Sequence, residues 1–458
     1  MIGETAKKTL TKQQLIALIL IIIGFGGLLA FDLLIYFVIS IGVTILVYLS
    51  ILFFKSIIVV APYRDDGFVK VDCELLKIKN QKLPTVTVLA PLYHEEKVVK
   101  NLVNSLLKQK YPADKLETML LLEKADQKTI EAVNTFNLPK NFKIIICDSN
   151  PKTKPAALNV GLAAATGEFL VIYDAEDRPQ KNQILAAVTA FSKSPADVAC
   201  IQAKISFWNK DRNFLTKFFT AEYAAHFEIF LPALSKFDLC VPLGGTSNFF
   251  RTKILKKIGG WDPFNVTEDA DLGVRIARVG FKVKMLESIT WEEANSNIIN
   301  WLRQRSRWIK GYLQTYLVHM RHPAKLYKDL GFSKFVSFQL IFGAGPVSIL
   351  VNPFFWSVTG AYIATRSSLI EAVFPAPIFY LGLICTLGNF VFVFLKMSAC
   401  LKAGQYNKVV LMVFAPFYWV LTSFGAFYGL LQLITKPHHW EKTQHGLEIE
   451  RPIFWWTR

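Results

Sequence analysis

Five apolar runs constrain this chain more than any other feature. They cover residues 15–30, 33–54, 335–364, 372–394 and 409–435. Each approaches or exceeds the roughly 20 apolar residues that a helix needs to cross a hydrocarbon core. A chain with such runs towards both ends, and a long stretch of ordinary polarity between them, is expected to fold as membrane helices around a water-facing domain. Asp32 separates the first two runs, Lys7, Lys8 and Lys12 precede them, and Lys55 and Arg64 follow. Basic flanks favour the cytoplasmic side, so residues 1–55 read as a transmembrane hairpin with both flanks cytoplasmic. The paired runs are too long for a removed signal peptide, and no small-residue cleavage site follows them. The remaining expected units are a domain over 56–330, a second transmembrane region over 331–435 and a tail over 436–458.

The 458 residues carry 52 Lys and Arg against 35 Asp and Glu, a net charge of +17. That excess suits an anionic membrane leaflet and an anionic substrate. No nucleic-acid motif accompanies it. Cys73, Cys147, Cys200, Cys240, Cys385 and Cys400 show no metal-ligand spacing and read as reduced thiols.

Within the central domain, four short apolar runs each end in polar residues: "TVTVLAPLYHEE" (85–96), "ETMLLLEKAD" (117–126), "FKIIICDSN" (142–150) and "EFLVIYDAED" (168–177). Helical stretches are expected between them at 95–109, 127–136 and 154–165. Strands alternating with helices predict an α/β, mostly parallel sheet. Ligands of such sheets bind beyond the carboxyl ends of the strands. Those ends carry Tyr93, His94 and Glu95, then Glu123 and Asp126, then Asp148, then Asp174, Glu176 and Asp177. Carboxylates in a basic chain fit a divalent metal shared between protein oxygens and substrate phosphates, and Mg²⁺ or Mn²⁺ takes such ligands. Asp174 and Glu176 are the candidate pair; an acidic turn capping the next helix is the alternative.

Further along, "NWLRQRSRWIKGY" (300–312) places Gln304, Arg307 and Trp308 on one helical face, with Trp301 on the same stripe. An amphipathic interface helix would show the same pattern. In order along the chain, "PLYHEE", "KPAALN", "DAED", "TED" and "QRSRW" resemble the processive membrane-embedded glycosyltransferases of family 2, which include cellulose, hyaluronan and mannan-type synthases. The resemblance is close over residues 85–310. It implies a GT-A fold, a UDP- or GDP-linked sugar donor, a growing polysaccharide as acceptor, and a catalytic domain on the cytoplasmic side of a bacterial plasma membrane.

Residue by residue, the resemblance implies nucleotide contacts from Tyr93, Glu95, Glu123 and Asp148, and diphosphate contacts from Lys154 and Arg307. Glu123 stands where the family has Asp. Asp174 and Glu176 match the metal-binding DxD motif, with Glu replacing its second Asp. Asp269 matches the general base and Glu268 beside it an acceptor contact, and a Thr267 N-cap would fix the direction of Asp269. Gln304 and Trp308 match acceptor contacts, and the stretch around Gly245, Thr246 and Ser247 matches the acceptor pocket. Trp440, Lys442, Thr443 and His445 resemble a gating loop; a Trp and Lys membrane anchor is the alternative. A gating loop must share the catalytic side, which requires an even number of crossings between residues 330 and 436. Three apolar runs lie there, so either one is a hairpin or one lies in the interface. The resemblance thus implies an inverting, metal-dependent synthase of a β-linked glycan coupled to export. A transferase acting on a lipid-phosphate carrier and a non-catalytic membrane protein are the rivals.

Overall fold

In the computed structural model, residues 4–60, 67–71, 83–441 and 446 are described. Among the described residues, nine strands form one mixed sheet: β1 Phe68–Val69, β2 Val86–Leu92, β3 Leu116–Glu123, β4 Phe142–Cys147, β5 Phe169–Ile172, β6 Arg178–Pro179, β7 Val198–Phe207, β8 Asn248–Arg251 and β9 Lys282–Glu292. Their order is β1-β9-β7-β8-β5-β2-β3-β4, with β6 paired to β9.

The half of the sheet formed by β5, β2, β3 and β4 is parallel. The crossover helices are Val99–Leu107, Gln127–Asn134 and Lys154–Ala164. β2, β3 and β5 are apolar on both faces because helices cover both. β8 runs antiparallel between β5 and β7. Sequence patterning suggested only a pocket segment there.

Among the described residues, five helices are long and apolar enough to cross a membrane: Lys12–Phe31, Leu33–Ile58, Pro323–Thr365, Ala376–Lys402 and Tyr406–Thr435. The third is broken at Gly331, whose φ of 71° lies in the left-handed region, next to the boundary expected after residue 330. The second, third and fourth of these helices pack into the domain's core, whereas Lys12–Phe31 buries no residue. Leu395, Ala399, Phe338 and Phe342 belong to the same buried cluster as Leu89, Leu121 and Ile172 of the sheet.

The helix Ile298–His319, which carries the QRSRW stretch, lies along Ala415–Thr435. Gly425 and Gly429 permit this approach: a Cβ on them would stand 2.9 Å from Arg305 Cβ and 2.6 Å from Ser306 O. Just before that second helix, Lys408 Nζ pairs with Asp211 of the domain at 2.7 Å. Just after it, Lys310 Nζ donates to His439 O at 2.6 Å and Gln314 Nε2 to Pro437 O at 2.7 Å.

Candidate active site

The strand ends converge on a cavity of about 920 Å³ between the sheet and the apolar helices. At its centre is the turn Gly244–Gly245. A Cβ on Gly245 would stand 3.3 Å from Asp269 Oδ2, 3.6 Å from Lys154 Nζ and 3.9 Å from Asp174 Oδ2. Three charged groups, from three distant segments, therefore surround one gap that glycine leaves open.

Each is held there by its own element. Asp174 follows β5, and Asp177 three residues on accepts from its backbone N–H at 2.6 Å. Thr246 Oγ1 donates to that same Asp177 carboxylate, so a buried latch ties the acidic turn to the glycine turn. Lys154 opens its helix and reaches Asp174 at 2.5 Å and Gly245 O at 2.8 Å. Burial works against the Lys154 charge, but Asp174, Glu268 and Asp269 outweigh it and hold the ammonium well above its ordinary pKa.

Asp269 lies in the first turn of Glu268–Arg278 and accepts from Ala270 N at 2.8 Å. The expected side-chain cap does not form. Thr267 holds the N-cap position, but its hydroxyl turns to Asn265 Oδ1. Its side chain is packed against Gly311, where a Cβ would stand 2.3 Å from Thr267 Oγ1. Burial raises the Asp269 carboxyl above its ordinary value, against the opposing charges of Lys154 and Arg307. Glu268 is pushed up to about 7, first by burial and then by the Asp269 charge.

On the nucleotide side, Tyr93, Glu95 and Glu123 line the cavity. Asp126 and Thr129 hold the "YHEE" turn, accepting from His94 N at 2.5 Å and Glu95 N at 3.0 Å. Glu123 is buried, with one oxygen accepting from Ser149 Oγ and the other without a partner among the described residues. Asp148 is not brought here. It is exposed, pairs with Lys124 at 2.9 Å and is absent from the cavity wall, because β4 is an edge strand.

Gln304, Arg307 and Trp308 all face the cavity. Gln304 Oε1 accepts from Asn295 Nδ2 at 2.9 Å. Arg307 lies 4.6 Å from the Trp440 ring centroid, and its Nε–H has no partner among the described residues. Trp308 packs beside Tyr223 and Phe219, with Arg305 4.7 Å from its ring centroid. Trp301 is instead fully buried, against Tyr418.

Two expected acceptor contacts are corrected. Thr246 and Ser247 are buried and their hydroxyls are used inside the fold, Thr246 on Ile172 O and Asp177, Ser247 on Thr290 Oγ1 at 2.6 Å. Strand β8 begins at the next residue, and its pairing with β5 and β7 holds this segment against the sheet, although Thr246 still lines the cavity. Lys442, Thr443 and His445 lie outside the described residues.

Sequence reasoning also missed Glu292, which ends β9 on the cavity wall. Burial and the charges of Asp177, Glu176 and Asp174 raise its carboxyl well above the ordinary range. No local pattern marks it, because its partners lie more than a hundred residues away. The hinge role of Asp177 was more accessible: an Asp three residues after another in a tight turn is a side-chain-to-backbone signal.

Asp174 and Glu176 offer hard oxygen donors, the donor set for Mg²⁺ or Mn²⁺. Among the described residues no cluster of three or more such side chains has metal-holding geometry. A bound ion would complete its shell with phosphate and water oxygens.

Residues 84–311 match the family described as "Glycosyltransferase like family 2". The chain is 28% identical over 272 residues to the probable glycosyltransferase YdaM of Bacillus subtilis, covering 57% of this chain and 64% of that protein. It is 28% identical over 237 residues to the probable glucomannan 4-beta-mannosyltransferase 7 of Oryza sativa, covering 50% and 40%. It is 24% identical to the poly-beta-1,6-N-acetyl-D-glucosamine synthase of Staphylococcus epidermidis, covering 52% and 57%. The match thus spans less than two thirds of the length of each of these relatives. The mannosyltransferase PcManGT of Pyrobaculum calidifontis, solved with GDP-Man and Mn²⁺, superposes with a TM-score of 0.54 at 17% identity, covering 85% of this chain and 99% of that one. That likeness identifies a GT-A-type fold. Residues 84–311 thus carry a family 2 glycosyltransferase domain.

Proposed function

We propose that this glycosyltransferase extends a β-linked glycan from a nucleotide-diphosphate sugar, by a single inverting displacement that depends on a divalent metal. The observation that carries the reading is the gap over Gly245, bounded by Asp269, Lys154 and Asp174 within 4 Å. A base, a cation and a metal-type carboxylate around one reacting centre are what such a displacement requires, and these three side chains supply the matching chemistry.

An acceptor hydroxyl is a poor nucleophile at neutral pH. Asp269 takes its proton as the oxygen forms a bond to the anomeric carbon. The bond from that carbon to the donor phosphate breaks on the opposite face, so an α-linked donor yields a β-linked product. Charge builds on the departing nucleoside diphosphate. Lys154 faces it as a fixed cation, and the Arg307 guanidinium on the same cavity wall adds a second positive charge. A cation held by Asp174 and Glu176 would add Lewis-acid stabilisation of the same charge. Trp308 gives the acceptor a flat aromatic face, and Trp440, stacked on Arg307, closes the site from the tail.

The test is incorporation of labelled sugar by purified protein in lipid vesicles. UDP-glucose, GDP-mannose and UDP-N-acetylglucosamine are offered separately, with Mn²⁺ or Mg²⁺ and with chelator. Chelator-sensitive extension of a glycan from one donor is expected. Transfer that survives chelation removes the metal, and label confined to a single-sugar lipid removes glycan extension.

A further inference from the structure

The cavity that holds Asp269 does not stop at the sheet. It continues between the apolar helices, where Lys55 and Lys396 line it. Lys396 is only 8% exposed. Its ammonium stands 5.0 and 5.7 Å from the ring centroids of Tyr418 and Trp419, and Lys55 Nζ stands 3.9 Å from that of Phe230. Neither ammonium has a hydrogen bond or ion pair among the described residues.

The carboxylate in this part of the cavity is already engaged. Arg305 forks onto both oxygens of Glu222, and the Tyr418 hydroxyl donates to it at 2.8 Å. Arg305 and Glu222 cancel, and two positive charges remain without a counter-charge. His226 adds none at neutral pH, since burial and then the Lys55 charge lower it to about 4. Uncompensated buried charges are strongly unfavourable, so such sites are paired or take a ligand.

Beyond the lysines, a second cavity of about 1230 Å³ shares Tyr48, Ser348, Asn352, Asn389 and Trp419 as a common wall. Aromatic side chains dominate its outer rim. Phe379, Phe390 and Phe394 are each about half exposed or more, on helices apolar enough to meet hydrocarbon. The path therefore runs from the transfer centre, past two cations, into a greasy groove.

We propose that this path seats a lipid-linked acceptor, a glycan carried on a lipid diphosphate. The diphosphate lies between Lys55 and Lys396, the hydrocarbon fills the aromatic groove and the glycan's free end reaches Asp269. The assignment rests on the glycan-extending reading above and names its acceptor class. Charge selects the linker: a neutral glycan leaves two cations bare and a phosphodiester lipid brings one negative charge, whereas a diphosphate linking lipid to sugar brings two.

The full chain in phosphatidylcholine nanodiscs, with chelator present, is titrated with geranylgeranyl diphosphate and bound lipid is read by native mass spectrometry. Retention is expected, at least tenfold weaker in the double variant Lys55→Gln/Lys396→Gln and restored in Lys55→Arg/Lys396→Arg. Nucleoside diphosphate binding with Mn²⁺ reports that each variant is folded. Geranylgeraniol, inorganic pyrophosphate and phosphatidylglycerol are each expected to bind at least tenfold more weakly. Equal binding of the alcohol would reduce the groove to an apolar site. Equal binding of pyrophosphate would make it a free-anion site, and equal binding of phosphatidylglycerol a bulk-lipid site. Any of these, or indifference to the lysines, overturns the proposal. Asp269→Asn should retain the lipid. Wild-type protein that retains the lipid yet transfers no sugar would overturn the proposed function while leaving this site standing.

Discussion

Replacing Gly245 by alanine tests the transfer centre with one methyl group. The added carbon would stand 3.3 Å from Asp269 Oδ2, 3.6 Å from Lys154 Nζ and 3.9 Å from Asp174 Oδ2. No contact falls below 3.0 Å, and Gly245 is not among the residues with positive φ, so the fold should accept it. Two opposing effects on stability are expected: about 0.4–1 kcal/mol gained through the unfolded chain and about 1–3 kcal/mol lost if the site is crowded. The effect on turnover should be far larger. A methyl in the space shared by base, cation and metal carboxylate displaces the reacting atoms by about 1 Å, which costs on the order of 10²-fold in rate. That corresponds to roughly 2.7 kcal/mol of barrier. The assay is kcat for sugar transfer beside the thermal midpoint of the same preparation. A variant that keeps its midpoint and turns over within about threefold of wild type would show that the reaction does not pass over Gly245.

Other outcomes follow from the same geometry. Asp269→Asn should lower kcat by about 10²–10⁴ while nucleotide binding, read by calorimetry, survives; persistent turnover places the base elsewhere. The Asp269 and Glu268 carboxyls are both raised, Glu268 to about 7, and the base acts only when ionised. Activity should therefore fall with decreasing pH along a limb above the ordinary Asp value of about 3.9, and a limb at that ordinary value would contradict the burial argument. Trp308→Ala should shorten the product more than it slows donor hydrolysis, as judged by product sizing against released nucleotide, and equal losses would remove acceptor stacking. Gly429→Val would drive a side chain into Ser306 O, 2.6 Å from the Cβ position. Overpacking of about 1–3 kcal/mol should appear as a lower melting point, and an unchanged one would mean the two helices part freely.

Much of the site was legible in the sequence because strand ends announce themselves. Tyr93, Glu123 and Asp174 each follow an unbroken apolar run, and a parallel sheet brings such ends to one edge. Asp148 follows such a run too, yet an edge strand carries it away from the cavity, and edge position is a long-range property. The hydroxyls of Thr246 and Ser247 misled for a related reason. "GGTSN" looks like a polar loop offering donors, but β8 starts at Asn248 and its antiparallel register decides where they point. β7 and β9 were not anticipated either, since Lys204, Lys282, Lys284 and Glu287 interrupt their apolar pattern. Those charges are tolerated through partners elsewhere in the chain: Lys204 on Glu228 at 3.0 Å, Lys282 on Asp197 at 2.9 Å.

The anchoring of Ala415–Thr435 at both ends bears on how the chain is threaded. Its approach is pinned by Lys408 on Asp211 and its exit by Lys310 on His439 O, so both of its ends are tied to residues 198–319. Hydropathy alone counts five crossings, an odd number that would strand the tail on the wrong side. A helix tied to the domain at both ends is expected not to cross, and four crossings would put Thr11 and Lys436 on the same side as the sheet. Single cysteines placed at Gly404 and at Lys436 should then react with an impermeant thiol reagent from the same face of a sealed vesicle. Labelling from opposite faces would restore the fifth crossing.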